Sequence, residues 1–475
     1  MMKMKKICAF SAAVFMAFSA ASCGSKDDSS SKKDDSFEAT ENVEVAPTDK
    51  VDAIPEGADG TLLYLGVADL NPTRGNPEKS TELTLFEDKG GKIEYQRTSY
   101  FERFDDLAAA LLANKDIPDM TNYEWLSFPA HVVANMHQPI DPIVNFDDPL
   151  WADVKDDAEQ YSLAGNHYVA PLRYEASAMM CYNHEIIENE GLDDPYELYL
   201  QGEWNWDNWA EIMREYCENG DGEEIYGVNG FFKEHITQQT GKTLVNYDSE
   251  TGTFESNLDD PDIEAAQSLL YDLNKENIIL NGWIGSAREA FNQGCLFYAM
   301  GDWAYSGSNA PKDSDDWAVV PMPQYTKNPQ KITTSDMKAF MWTRGSTKNE
   351  AMKCWLECCR VTYTDPDYQQ TNKDKFMENN PTWTEEMYGV KTDVVSPDYF
   401  MIYDYSYGIS NALGDPKAFD GNNSLTDTLY ILSSQPDADG NQQTWASVRE
   451  AYSATVNSEI KTINTEIQKI VNGEK

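Results

Sequence analysis

From Thr61 onward the hydrophobic pattern switches repeatedly between the period of a strand and that of a helix, and few fold classes accommodate that alternation. The apolar run Thr61-Leu62-Leu63-Tyr64-Leu65-Gly66-Val67, bounded by Gly60 and Asn71-Pro72, reads as a buried strand. A helix is predicted after Pro77, ending near Gly90-Gly91, and residues 92–98 alternate as a second strand. Phe104, Leu107, Ala108, Leu111 and Leu112 then fall at helical spacing, and that helix stops ahead of Pro118. Strand following helix in this way predicts an α/β fold with a largely parallel sheet. Farther on, the turn-rich residues 246–254 read as a hairpin, and Asp260-Pro261 offers a cap and a first residue for a helix bearing Ile263, Ala266, Leu269, Leu270 and Leu273. A long final helix is predicted over residues 445–471.

The other end of the chain constrains where this body resides. Lys3, Lys5 and Lys6 precede an apolar run from Ile7 to about Phe18, followed by Ala20-Ala21-Ser22 and then Cys23-Gly24. That order is the order of a secretory signal. Its apolar stretch falls well short of the ~20 residues that span a bilayer. The placement of Cys23 resembles a bacterial lipobox, with Ala20 where Leu or Val is usual. Residues 1–23 are therefore expected to be a lipoprotein signal peptide, with Cys23 carrying the lipid on the extracytoplasmic face of the cell membrane. An ordinary signal peptide with an incidental cysteine is the alternative. Residues 24–59, rich in Ser, Asp and Lys, are expected to form a disordered tether with a reach of about 30 Å.

About 400 residues remain, more than one core usually serves, so at least two lobes are expected. The formal charge is −44, and loss of the three leader lysines makes it more negative still. Such a surface repels nucleic acid and anionic headgroups and excludes both as partners. Beyond the leader and Cys23 stand Cys181, Cys217, Cys295, Cys354, Cys358 and Cys359, whose spacing resembles no small disulfide scaffold. Buried free thiols are expected, with a bridge among them left open. Without a CxxC pair, and with scattered histidines, no metal site is expected.

Six segments, taken in order, resemble the maltose-binding-type (family 1) sugar binders among the extracellular solute-binding proteins of ABC importers. They are LTLFEDKGGKIEYQ (83–96), LLANKDIPDM (111–120, with Lys115 where Gly is usual) and YSLAGNHYVAPLRYEASAMMCYN (161–183). GEWNWDNWAEI (202–212), AFNQGCLFYAMGDWAYS (290–306) and DDWAVVPMPQ (315–324) complete the set. The resemblance implies a two-lobed type II periplasmic-binding-protein fold that closes by a hinge around its ligand. Residues 60–172 and 335–380 would form lobe 1, and 173–334 and 381–475 lobe 2. The chain would cross near Leu172-Arg173, near 333–338, and around 380. The implied function is capture of a carbohydrate, an oligosaccharide above all, by a monomer that delivers it to ABC permease subunits without catalysis, cofactor or metal.

A sugar offers hydroxyls and C–H faces, so its site needs aromatic plates and a few charged or polar groups. Tyr123, Glu124 and Trp125 follow a predicted strand at its carboxyl end, where α/β folds place ligands. Arg173, Tyr174 and Glu175 lie at the first crossing, and Glu175 occupies a position where relatives hold a sugar hydroxyl, with an interlobe Arg173–Glu175 ion pair as the other reading. Asp302, Trp303 and Tyr305 follow Gly301, and in relatives the tryptophan after this glycine stacks on the sugar. Tyr405 belongs to an odd-spaced tyrosine series, with Tyr399, Tyr403 and Tyr407, that could line the cleft or pack at an edge. Trp204, Trp206 and Trp209 are assigned to structure, stapling a helix start capped by Asn205 or Asp207.

Enzyme motifs are weak. Gly241-Lys242-Thr243 lacks the first P-loop glycine, since Ile236 stands there, and no G-x-S-x-G or H-E-x-x-H is present. A secreted glycan hydrolase using Glu124, Glu175 or Asp302 is one alternative function. A surface glycan- or peptide-binding protein without a permease is the other.

Overall fold

The computed structural model describes residues 45–74, 78–100, 102–220, 224–248, 251–312, 316–409, 425–435 and 441–474. The leader, Cys23 and the first part of the expected tether lie outside them. Strands β1 (Thr61–Gly66), β2 (Lys92–Arg97) and β3 (Met120–Asn122) alternate with helices Thr81–Asp88 and Arg103–Ala113, as the sequence predicts. A short hairpin of β4 (Ser162–Leu163) and β5 (Asn166–His167) leads to β6 (Ala170–Ala176) and β7 (Met179–Asn183). Next come β8 (Tyr226–Gly230) and the expected hairpin, β9 (Val245–Asp248) with β10 (Thr253–Ser256). The remaining strands are β11 (Cys295–Met300), β12 (Trp317–Val320), β13 (Ile332–Trp342) and β14 (Phe400–Ile402).

These strands build two principal sheets. The first runs β14-β13-β3-β1-β2, with β6 also paired to β13; the second runs β12-β7-β11-β8. Pairing is parallel for β1 with β2 and β3, and for β8 with β11. β13 also pairs with β14 in parallel but is antiparallel to β3 and β6, so the first sheet is mostly parallel as expected; the second is mixed, with β7 antiparallel to β11 and β12. The reason is connectivity. Only two residues separate β6 in the first sheet from β7 in the second, and β13 returns the chain in the opposite direction.

Side-chain alternation divides the second sheet's contacts between two cores. Met180, Tyr182, Phe297 and Ala299 face one, with Trp204, Trp206 and Trp209; Met179, Cys181 and Tyr298 face the other, with Tyr305 and Trp383. The first sheet packs on helix Asn349–Thr364 through Met352, Trp355 and Leu356. Helix Pro366–Asn379 links these regions: Tyr368 sits in the first sheet's core, whereas Phe376 and Met377 pack on the second sheet's. The final helix, Trp445–Val471, has the predicted bounds and buries Val448, Val456, Ile460 and Ile467 in a further core.

Local rules hold at the helix starts. Asn205 caps helix Trp206–Asn219 by accepting from the Asp207 and Asn208 amides, and Asp260 caps helix Pro261–Lys275. The six cysteines past the leader are free thiols, five of them buried.

Residues 45–59 correct the tether expectation. Val51 is buried in the first core, the Tyr368 hydroxyl donates to Ala46 O at 2.6 Å, and the Ile54 amide donates to Lys89 O at 2.9 Å. Val45, Val51 and Ile54 are few among polar neighbours, so averaged composition hides apolar anchors that suffice to hold a short segment.

Candidate ligand site on the crossing strands

Strands β6 and β13 pair where the chain passes between the sheets, and their register makes a charged face. Asp336 is the Cα partner of Glu175, and Lys338 of Arg173. Alternation places all four on one face and sends Tyr174 and Met337 to the other. On the charged face Arg173 pairs with Glu175, and Lys338 Nζ lies 3.5 Å from Glu82 of helix Thr81–Asp88.

Glu124 reaches the same region from the loop after β3. Arg103, at the start of its helix, donates from Nη2 to Glu124 at 2.7 Å, and its guanidinium lies over the rings of Tyr100 (3.9 Å) and Phe104 (4.2 Å). Arg103, Glu124, Asn122 and His137 line an open cavity of about 560 Å³ at the carboxyl ends of β1 and β3. Burial raises the Glu124 pKa despite the opposing pull of Arg103. Burial likewise pushes His137 down to about 3, so its imidazole is neutral.

The second sheet contributes the turn after β11. Asp302 pairs with Lys391 of helix Glu385–Asp393, and Trp303 is 49% exposed, in contrast to the buried Ala304 and Tyr305. Gly301 makes room for this indole: a Cβ there would stand 3.1 Å from Trp303 Cδ1.

One carboxylate registers all three contributions. The surrounding protein withdraws water from Asp336, and Glu175, Glu124 and Asp302 repel its charge, so its pKa is pushed from 3.8 up to about 7. Glu175 moves the other way, because Arg173, Lys338 and Lys391 outweigh the effect of burial and lower it. The folded state therefore holds the Asp336 proton above the unfolded value. The stability this contributes is complete below pH ~4 and is lost as pH rises through ~7. Full conversion would give about 4 kcal/mol. Asp336 is flanked by protein on one side and keeps a solvent-exposed edge, so screening reduces the expected effect to about 1–2 kcal/mol. Urea unfolding should accordingly show Asp336→Asn more stable than the native chain at pH 8 and no more stable at pH 4. An equal difference at both pH values would mean that Asp336 does not titrate in this way.

Of the residues nominated from sequence, Glu124, Glu175 and Asp302 converge on Asp336, Arg173 pairs with Glu175, and Trp303 follows Asp302 directly. Tyr123 lies near enough to feel the Asp336 charge but turns its hydroxyl to Tyr161, and the others lie elsewhere. Tyr174 is on the opposite strand face and donates its hydroxyl to Asp157, which also accepts from Tyr403 at 2.6 Å. Tyr123 donates to the Tyr161 hydroxyl at 3.2 Å, within an aromatic cluster that includes buried Tyr405. Tyr305 is fully buried, stacked on Trp383 at 5.6 Å. Trp125 is half-buried, with its ring engaged by Phe231 at 5.9 Å and Tyr407 at 4.9 Å. In each case the ring is committed to packing. Sequence reasoning missed Arg103, Asp336, Lys338 and Lys391. A signal existed for two of them, since Asp336-Met337-Lys338 and Arg173-Tyr174-Glu175 are matching charge-x-charge triplets at strand spacing.

Away from this face, His184, Glu188 and Asp316 bring ligand-type atoms within 4.8 Å of one another. Both His184 ring nitrogens are already engaged, by Asp316 at 2.7 Å and Asp194 at 3.2 Å, as in an ion-paired imidazole. Gly241 follows helix Lys233–Gln238, not a strand, so the P-loop context is missing.

Comparison with known proteins is decisive at this point. The model of the family described as bacterial extracellular solute-binding protein matches residues 76–357. The chain belongs to that family. No curated protein matches it in sequence. Among solved structures it is similar to the GacH receptor of Streptomyces glaucescens, determined unliganded and with acarbose and an acarbose homolog. Identity is 15% and the TM-score 0.56, covering 84% of this chain and 98% of that one. It is also similar to an ABC substrate-binding protein from Listeria monocytogenes in complex with cycloalternan, at 15% identity and a TM-score of 0.54, covering 87% of this chain and 100% of that one. Family and neighbours together establish the two-lobed solute-binding fold and an extracytoplasmic role.

Proposed function

We propose that this solute-binding protein captures a carbohydrate, most naturally an oligosaccharide, and delivers it to an ABC permease while tethered to the membrane through a lipid on Cys23. The observation that carries the reading is the convergence of Glu124, Glu175 and Asp302 on Asp336, with Arg173 paired to Glu175 and the exposed Trp303 beside Asp302. Charged groups for hydroxyls and an aromatic plate for a C–H face are what a sugar needs. The sugar ligands of the two structural neighbours support it. Division at 172/173, 334/335 and 380/381 into lobes that close on the sugar belongs to the same reading.

A thermal-shift panel of glycans tests it, because a ligand that binds only the folded state raises the melting temperature. At least one oligosaccharide should raise it, and a panel without any shift would overturn the reading. The raised Asp336 opposite the lowered Glu175 also resembles the split of an acid and a nucleophile in a glycosidase. Binding without chemistry leaves bound glycans intact by chromatography; reducing ends released by native protein but not by Glu175→Gln would favour the hydrolase. For the anchor, Cys23→Ala should shift the protein from the membrane fraction to the medium. Unchanged membrane association would remove Cys23 from the proposal.

A further inference from the structure

Each cation around the proposed site has its own carboxylate. Arg103 pairs with Glu124, Arg173 with Glu175, Lys338 with Glu82, and Lys391 with Asp302. Asp336 is left over. Among the described residues no hydrogen-bond donor or cation is paired with it, and the residue directly across the strand pair is another carboxylate, Glu175. Like charges directly opposed across strands are destabilising, and such local violations concentrate where function uses them.

Two further groups are incomplete in the adjoining cavity. Arg103 is 6% exposed, yet its Nε and Nη1 have no partner. His137 is 3% exposed, and its Nδ1 is likewise without one. The neutral His137 ring carries a lone pair on one nitrogen, and its buried Nδ1 faces the cavity unpaired. Buried polar atoms in this condition are costly unless something else satisfies them.

We infer that the ligand is an amine-bearing saccharide whose ammonium group pairs with Asp336. This deepens the carbohydrate reading and rests on it. A neutral sugar would supply no counter-charge to Asp336 when it ionises among the surrounding carboxylates. A uronic or sulfated sugar would meet that charge together with the field of a chain whose formal charge is −44. An ammonium supplies three N–H donors and a charge of the right sign, and the same field steers it toward the protein. An arriving cation also favours the ionised form of Asp336, which holds a proton near neutrality when the site is empty. Binding at pH 7 should therefore release about half a proton per site.

The test is titration calorimetry on the purified full chain with glucosamine and galactosamine mono- to tetrasaccharides, each beside its neutral parent. An amine-bearing member should bind about tenfold or more tighter than its parent. Its apparent enthalpy should differ between phosphate and Tris at pH 7 in the sense of proton release. Asp336→Asn should abolish both the preference and the proton release, while Asp336→Glu, which keeps the charge, should retain the preference. Neutral members binding as tightly as their amine-bearing counterparts, or a preference that survives Asp336→Asn, would overturn the inference and leave the carbohydrate reading intact. Failure of every member, charged and neutral, would overturn the carbohydrate reading itself.

Discussion

Trp303→Ala should weaken binding of whichever glycan stabilises the protein by about 2–4 kcal/mol, roughly thirty- to a thousand-fold. The ring is 49% exposed, so its free face can still be covered by a ligand, and losing it removes both apolar area and the aromatic contact. The same exposure makes the cost to folding small, about 0.5 kcal/mol or less, as for a surface position. Trp303→Phe should recover part of the affinity, because a smaller plate remains. Calorimetry at a temperature far below the unfolding transition separates affinity from stability. Native affinity in Trp303→Ala would remove this residue from the site and leave only its charged half.

The fold was legible where one local signal fixes one element. Asn205 and Asp260 each cap the helix their position implies, and the final helix has its predicted limits. Side-chain destination was harder to read. Tyr174 sits between two site residues in sequence, and strand alternation alone turns it away from them. Tyr305 follows Trp303 by two residues, but the 3-10 turn Asp302–Tyr305 sends one ring outward and the other into the core. Burial of Tyr123 and Tyr405 depends on a cluster with Tyr161, Phe128 and Tyr247, assembled from segments far apart in the chain. Lys391 had no signal at all, because its partner Asp302 is 89 residues away. A charge becomes part of a site by pairing across such distances, and local periodicity is blind to that.

Trp204→Ala should show the opposite behaviour to Trp303→Ala. Trp204 is 3% exposed, its indole N–H donates to Pro321 O at 2.8 Å, and its ring lies 5.9 Å from Phe297 in the second sheet's core. Truncation opens a cavity and leaves a buried carbonyl without its donor, a change worth about 3–5 kcal/mol of stability. The backbone would feel it too, because the Trp204 carbonyl accepts from the Gln324 amide and its own amide donates to Leu198 O, both at 3.1 Å. None of these contacts involves the charged face of β6 and β13, so affinity measured well below the transition should stay within about twofold of native, a few tenths of a kcal/mol. Trp204→Phe separates the terms, since it keeps most of the ring and loses only the donor, and should cost about 1–3 kcal/mol. A Trp204→Ala protein that unfolds at the native urea concentration but has lost its ligand would move Trp204 from scaffold to site. The aromatic plate would then have to be sought among the tryptophans that open helix Trp206–Asn219, in place of the turn that follows β11.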